Sequence, residues 1–204
     1  MFKNLDEQER ALASHLGGIR SERAATSVLY SDPFLKAGLF SLLVDRTQDP
    51  VLYLDLDLMF SGYVVSGAVP RKENLVLYQP TRETLVGMVA EVCVRASSAR
   101  SLVIIDSING LYNILHDTRQ AGKTIASILM MIAGMSRFSG SSVVMASMAR
   151  YRKEEGWVLS PTGKRIIEAR HGRKVLLEYG RGGIAVNPLD GQGRFLIPAD
   201  SVRL

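Results

Sequence analysis

Cysteine is almost missing from this chain. Cys93 is the only one, so neither an intramolecular disulfide nor a cysteine metal set can form. Its place in the apolar helical pattern LVGMVAEVCV makes core packing its expected role. Histidine is scarce as well, and His15, His116 and His171 are too scattered for a ligand set, so no metal site is expected. Long apolar runs are absent: charge or glycine breaks each one before the roughly 18 residues of a membrane-spanning helix. No basic start, apolar stretch and small-residue cleavage site opens the sequence. These absences lead us to expect a cytoplasmic protein with no membrane contact. Internal repeats and low-complexity tracts are lacking too, and 204 residues at 47% hydrophobic content suit one packed domain.

Charge is present and unevenly placed. The formal net charge is +5. Between Arg150 and Arg181 nine Lys or Arg stand against four acids, while the rest of the chain carries sixteen of each sign. A localised basic segment is the electrostatic footprint of a polyanion binder; a solvated basic face without a ligand is the alternative. Eighteen of the twenty-five basic residues are arginine, which suits planar, bidentate recognition of phosphate or carboxylate.

Apolar periodicity gives the architecture. NLDEQERALASHLGG reads as a short N-terminal helix over residues 1–20, with Asn4 as N-cap, Glu7 completing a capping box, and Leu5, Leu12 and Leu16 as its stripe. AATSVLY is a strand and LKAGLFSLLV a helix. PVLYLDLDLMF reads as one buried strand, NLVLY as another. TRETLVGMVAEVCVRASS is a helix capped by Thr81. SLVIID is a strand, KTIASILMMIAGMSRF a helix, SSVVMAS a strand. Strands alternating with helices of about ten to seventeen residues predict a doubly wound α/β fold with a mainly parallel sheet and helices on both faces. From Arg150 onward, KRIIEA, KVLLEY, GIAVNP and GRFLIP, separated by glycine turns, read as antiparallel strands and hairpins extending the sheet at one edge. The single domain is expected over 21–204, with 150–204 as its basic loop and hairpin extension.

The stretch VLYSDPFLKAGLF has the layout of a phosphate-binding loop: an apolar run, a short turn, and a lysine opening a helix. A working loop of this kind needs two glycines to wrap backbone N–H groups around phosphate, a lysine, and a hydroxyl for magnesium. With Lys36 as the lysine, Tyr30 and Leu35 occupy the glycine positions and Ala37 the hydroxyl position. Pro33 removes one N–H donor. Lys36 as an ordinary first-turn lysine is the alternative. The GKT at Gly122 to Thr124 imitates the end of such a loop, but Asp117 stands where its first glycine belongs, and we read it as the start of a helix.

In order, these features resemble the RecA/RadA/KaiC ATPase superfamily, most closely an archaeal RadA paralogue with a degenerate Walker A motif. The resemblance covers roughly residues 20 to 204. SLVIIDS is similar to the Walker B strand, with Asp106 and Ser107 matching. VLYLDLDLMF resembles the strand ending in Asp-x-Glu, with Asp55 matching and Asp57 one methylene shorter than the water-orienting glutamate. Asp55 and Asp57 are read as facing opposite ways, so no close carboxylate pair is expected. SSVVMASMARYR is similar to the strand ending in a γ-phosphate sensor, where Ala146, Ser147 and Met148 stand instead. KEEGWVLSPTGKRIIEARHGRKVLLEYGRGG looks like the second DNA-binding loop and terminal hairpins. The helix-hairpin-helix domain and a good polymerisation motif of that family are not found.

The resemblance implies a RecA-like core with a vestigial nucleotide site at Lys36, Asp55, Asp57, Asp106 and Ser107, hence no catalytic residue, no cofactor and no ATP hydrolysis, since phosphoryl transfer rests on the groups that are missing. It implies a recombinase paralogue that binds DNA, single-stranded above all, and assists recombination and repair. Arg150, Arg152, Lys153, Lys164, Arg165, Arg170, Arg173 and Lys174 would contact phosphate. Trp157 would stack on a base or pack at a sheet edge. A RadA-type recombinase, another paralogue or a second copy is the expected protein partner. Two alternatives remain: a structural subunit similar to the Elongator accessory proteins, which bind RNA, and nucleotide binding in an altered manner through Lys36, Asp55, Asp57 and Asp106.

Overall fold

The computed structural model describes residues 2–20, 25–154, 156–159, 172–189 and 193–202. In chain order the elements are α1 (Phe2–Ile19), β1 (Thr26–Tyr30), α2 (Pro33–Asp45), β2 (Val51–Asp55), α3 (Met59–Val65), β3 (Leu75–Tyr78), α4 (Leu85–Ser98), β4 (Leu102–Asp106), α5 (Ile108–Leu115), α6 (Ala121–Phe138), β5 (Ser142–Arg152), β6 (Gly156–Leu159), β7 (Arg173–Gly180), β8 (Gly183–Pro188) and β9 (Phe195–Pro198). They form one sheet in the order β3-β2-β4-β5-β1-β7-β8-β9, with β6 paired to β5. From β3 to β7 neighbouring strands are parallel; β8 and β9 follow antiparallel, and so does β6 against the end of β5. This is the expected α/β architecture of a mainly parallel sheet with antiparallel hairpins at its C-terminal end.

Parallel strands buried on both faces are apolar throughout, and β1, β2 and β4 are buried at every position. Their side chains alternate between two cores. One core joins Val28, Tyr30, Tyr53 and Ile104 to Leu12 and Leu16 of α1, Leu39 and Leu43 of α2, and Phe60 of α3. The other joins Leu29, Leu52, Val103 and Ile105 to Val89 and Val92 of α4, Leu111 of α5, and Ile125 and Leu129 of α6. Helix α2 is apolar almost all round, with every residue from Leu35 to Val44 buried, as a helix sealed beneath other layers must be.

The structure departs from the sequence reading at several boundaries. The strand of PVLYLDLDLMF stops at Asp55 and its last two residues open α3, because Leu58 takes a left-handed backbone that turns the chain. Helix α4 starts at Leu85, after Thr84 rather than Thr81; the Thr84 hydroxyl accepts from the Thr81 N–H at 2.9 Å, so the turn between them is closed by the later threonine. Helix α1 begins at Phe2 and runs through Gly17 and Gly18, leaving Asn4 inside it rather than at its cap. Helix α5 was not read from the sequence. Strand β7 is parallel to β1, while among the described residues β8, β9 and, against the end of β5, β6 pair antiparallel. The segment KRIIEA lies outside the described residues.

Candidate functional site

At the carboxyl ends of β1, β2 and β4 a lysine is surrounded by carboxylates and phenols. Lys36, on the first turn of α2, is 1% exposed. Its Nζ lies 2.5 Å from Asp106 Oδ1 at the end of β4 and 2.9 Å from Asp57 Oδ2 in the loop after β2. The Tyr30 ring faces Nζ with its centroid 4.9 Å away, a cation–π contact. Tyr53 donates its hydroxyl to Asp106 Oδ2 at 2.6 Å. One Asp106 oxygen is thereby ion-paired and the other hydrogen-bonded.

Burial decides the electrostatics. Desolvation pushes the Asp106 carboxyl up to about 6, although Lys36 and Tyr53 pull it back. Burial acts on Lys36 in the opposite sense, but Asp106, Tyr30 and Asp57 outweigh it and leave the ammonium harder to deprotonate than usual. Burial also raises Tyr30 and Tyr53. At neutral pH the cluster therefore holds a charged lysine against the Asp106 carboxylate, with both phenols protonated.

The start of α2 is likewise self-satisfied. Asp32 is its N-cap, accepting from the Phe34 N–H at 2.8 Å, and Pro33 occupies the first turn without an N–H. A carboxylate thus sits where the helix dipole would otherwise favour an incoming anion. The second oxygen of Asp32 accepts from the Tyr179 hydroxyl at 2.5 Å. A phosphate approaching here would meet a negative charge, a missing donor and a lysine already bound.

Of the residues singled out in the sequence, Lys36, Asp57 and Asp106 are brought together. Ser107 caps α5 by accepting from the Gly110 N–H at 3.3 Å. Asp55 pairs in register with Asp106, but its carboxylate accepts from the Ser61 N–H at the start of α3, at 2.6 Å. Asp55 and Asp57 therefore have separate partners. Residues two apart in a strand share a face, so alternation does not separate these two; the strand ends at Asp55, and the following turn carries Asp57 to Lys36. Tyr53, Asp32 and Ser61 escaped the sequence reading. For Tyr53 a signal existed, since it lies two residues before Asp55 on the same face of β2.

The basic residues divide between two ends of the sheet. Arg150 and Lys153 are exposed at the β5–β6 turn. Arg152 pairs in register with Gly156, and Trp157 stands opposite Tyr151. Arg173 and Lys174 instead pair with Thr26 and Ser27 at the start of β1. That level matches Val144 on β5, six residues short of Arg150, or about 20 Å along a strand. Arg173 donates to the Gly18 carbonyl and lines a cavity of about 400 Å³ with His15 and Phe195. Lys164, Arg165 and Arg170 lie outside the described residues.

Among the described residues no group of His, Cys, Asp and Glu is placed to hold a metal ion, and no helix is long and apolar enough to cross a membrane. No protein-family model matches the chain, and no curated protein matches it.

Proposed function

We propose that this chain is a RecA-like paralogue whose nucleotide site has become an internal ion cluster, and that it binds single-stranded DNA without hydrolysing ATP. One observation carries the reading: Lys36, the single cation at the phosphate position, is buried and paired with two carboxylates at 2.5 and 2.9 Å. Binding a triphosphate there would require both ion pairs to break, and Asp32 would repel it. The sheet order, with six parallel strands ordered 3-2-4-5-1-7 before the antiparallel β8 and β9, supports the RecA-like scaffold. The exposed Arg150, on a strand that runs four residues past its last pairing with β1, and the exposed Lys153 in the turn after it support a nucleic-acid contact beyond the carboxyl edge of the sheet. Recombination and repair, beside a RadA-type recombinase or another paralogue, is the process in which such a binder would serve.

Two measurements test the reading. A ligand that binds only the native state raises its melting temperature, so magnesium ATP is expected to leave Tm unchanged; a rise of several degrees at millimolar nucleotide would contradict a closed site. Fluorescence anisotropy with labelled single-stranded DNA is expected to show binding that falls with salt and ignores ATP. A second reading, a structural subunit of a larger assembly, is favoured by the apolar face of α6, where Met130, Met131 and Phe138 are exposed as on interaction surfaces. Sedimentation analysis showing a stable ring-sized particle with no DNA affinity would support it instead.

A further inference from the structure

The cap of α2 hydrogen-bonds to two residues with exposed aromatic side chains. Asp32 accepts the Phe34 backbone N–H with one oxygen and the Tyr179 hydroxyl with the other. One carboxylate thus links the Phe34 backbone to the Tyr179 phenol, and the two side chains are 59% and 68% exposed. Neither ring serves the core, and Asp32 already has donors on both oxygens.

Strand register locates an exposed cation on the same face. Tyr30 pairs with Met148 of β5 and with Leu177 of β7. One pleat further along, Arg150 and Tyr179 fall in the same row, two strand spacings or about 10 Å apart. Ala146 and Leu177 belong to the core beneath α2, so by alternation Met148, Arg150 and Tyr179 lie on that same face. Met148, one pleat back on β5, is exposed as well. This face thus presents an arginine, a thioether and a phenol, with the Phe34 backbone linked to the phenol through Asp32.

We propose that Phe34 and Tyr179 form a stacking platform for a base of single-stranded DNA whose adjoining phosphate is held by Arg150. A nucleotide offers both groups at once, a π-face and an anion. Stacking is sequence-tolerant because every base has such a face, and arginine is the side chain best shaped for phosphate. The proposal rests on the DNA-binding reading and gives it a place in the fold: the mouth of the closed phosphate site, where bases rather than phosphates meet the end of α2.

The test uses the full chain and an oligothymidylate carrying one 2-aminopurine, followed by anisotropy and by quenching of the reporter base. Wild type is expected to quench the base. Phe34→Ala with Tyr179→Ala is expected to weaken binding about ten-fold or more and to abolish quenching. Tyr179→Phe, which keeps the ring and loses only the bond to Asp32, is expected to bind within about three-fold of wild type. Arg150→Gln is expected to weaken binding and flatten its salt dependence while quenching persists at saturation. Tm of each variant verifies folding. Unchanged affinity and quenching in the double alanine variant, with the weakening in Arg150→Gln retained, would overturn the platform and leave the DNA-binding reading standing. No binding by wild type would overturn both. Preference for the matching RNA oligonucleotide, with the same dependence on the rings, would overturn the assignment to DNA.

Discussion

Lys36 shows what a lysine at a helix start requires once it is sealed inside the fold. An exposed ammonium at a helix start is hydrated and mobile; buried, it needs fixed anions, and Asp106 and Asp57 supply them. Such a pair need not stabilise the fold over an apolar core, but breaking it leaves a buried charge alone. Lys36→Met is therefore expected to lose about 3–5 kcal/mol in chemical denaturation at pH 7, and Lys36→Met with Asp106→Asn to recover part of that loss. A pH dependence follows from the Asp106 carboxyl, pushed up to about 6 by burial. Between about pH 4 and 6 the folded protein holds a proton there that the unfolded chain has released. The contribution of Asp106 is thus fully present below about pH 4 and is lost as pH rises through 6. Asp106→Asn should lack that slope, which then appears in the difference between the two stability–pH curves. An identical slope in both proteins would place the titration elsewhere.

Among the elements, the contact of α5 with the loop after β2 fixes the geometry of the cluster. A Cβ on Gly110 would stand 2.8 Å from Leu56 Cβ and would also strike the Asp57 carboxylate. Glycine lets α5 close on the loop that delivers Asp57 to Lys36. Gly110→Ala is expected to cost about 1–3 kcal/mol, as overpacking does, measured by urea denaturation; a neutral result would mean that the loop yields freely. Asp32 works at the start of α2 in the same local way. Asp32→Ala removes an N-cap worth about 1 kcal/mol and releases Tyr179 as well.

For the molecule as a whole, charge rather than shape sets the expected partner. Arg150 and Lys153 are exposed at the β5–β6 turn, whereas Arg173 and Lys174 lie near the opposite end of the sheet. A strand of DNA held at the first end should not need the second. Replacing Arg150 and Lys153 together is expected to lower the slope of log affinity against log salt by about 1.4, at roughly 0.7 for each phosphate of a single strand that is no longer neutralised. Replacing Lys174 should leave the slope unchanged, and a slope that responds to both sites would imply a longer track across the protein.

Period-two and period-3.6 patterns made most of the architecture legible, because burial on both sheet faces leaves strands such as VLYLD and LVIID apolar from end to end. Lys36, Asp57 and Asp106 were legible too, since order along the chain and distance from strand ends are local properties. Helix α5 was not, being eight residues long between Ser107 and a turn, too short to show a period. Nor was the fate of the site. Whether a lysine beside two aspartates faces solvent or is sealed depends on the burial of α2, on Tyr30 and Tyr53 closing the cluster, and on Gly110 admitting α5. Those contacts join residues 30 to 110, far apart in sequence. The same holds for the basic segment: residues 150 to 174 form one run in the chain, and a parallel pairing of β7 with β1 puts Arg173 and Lys174 at the opposite end of the sheet from Arg150.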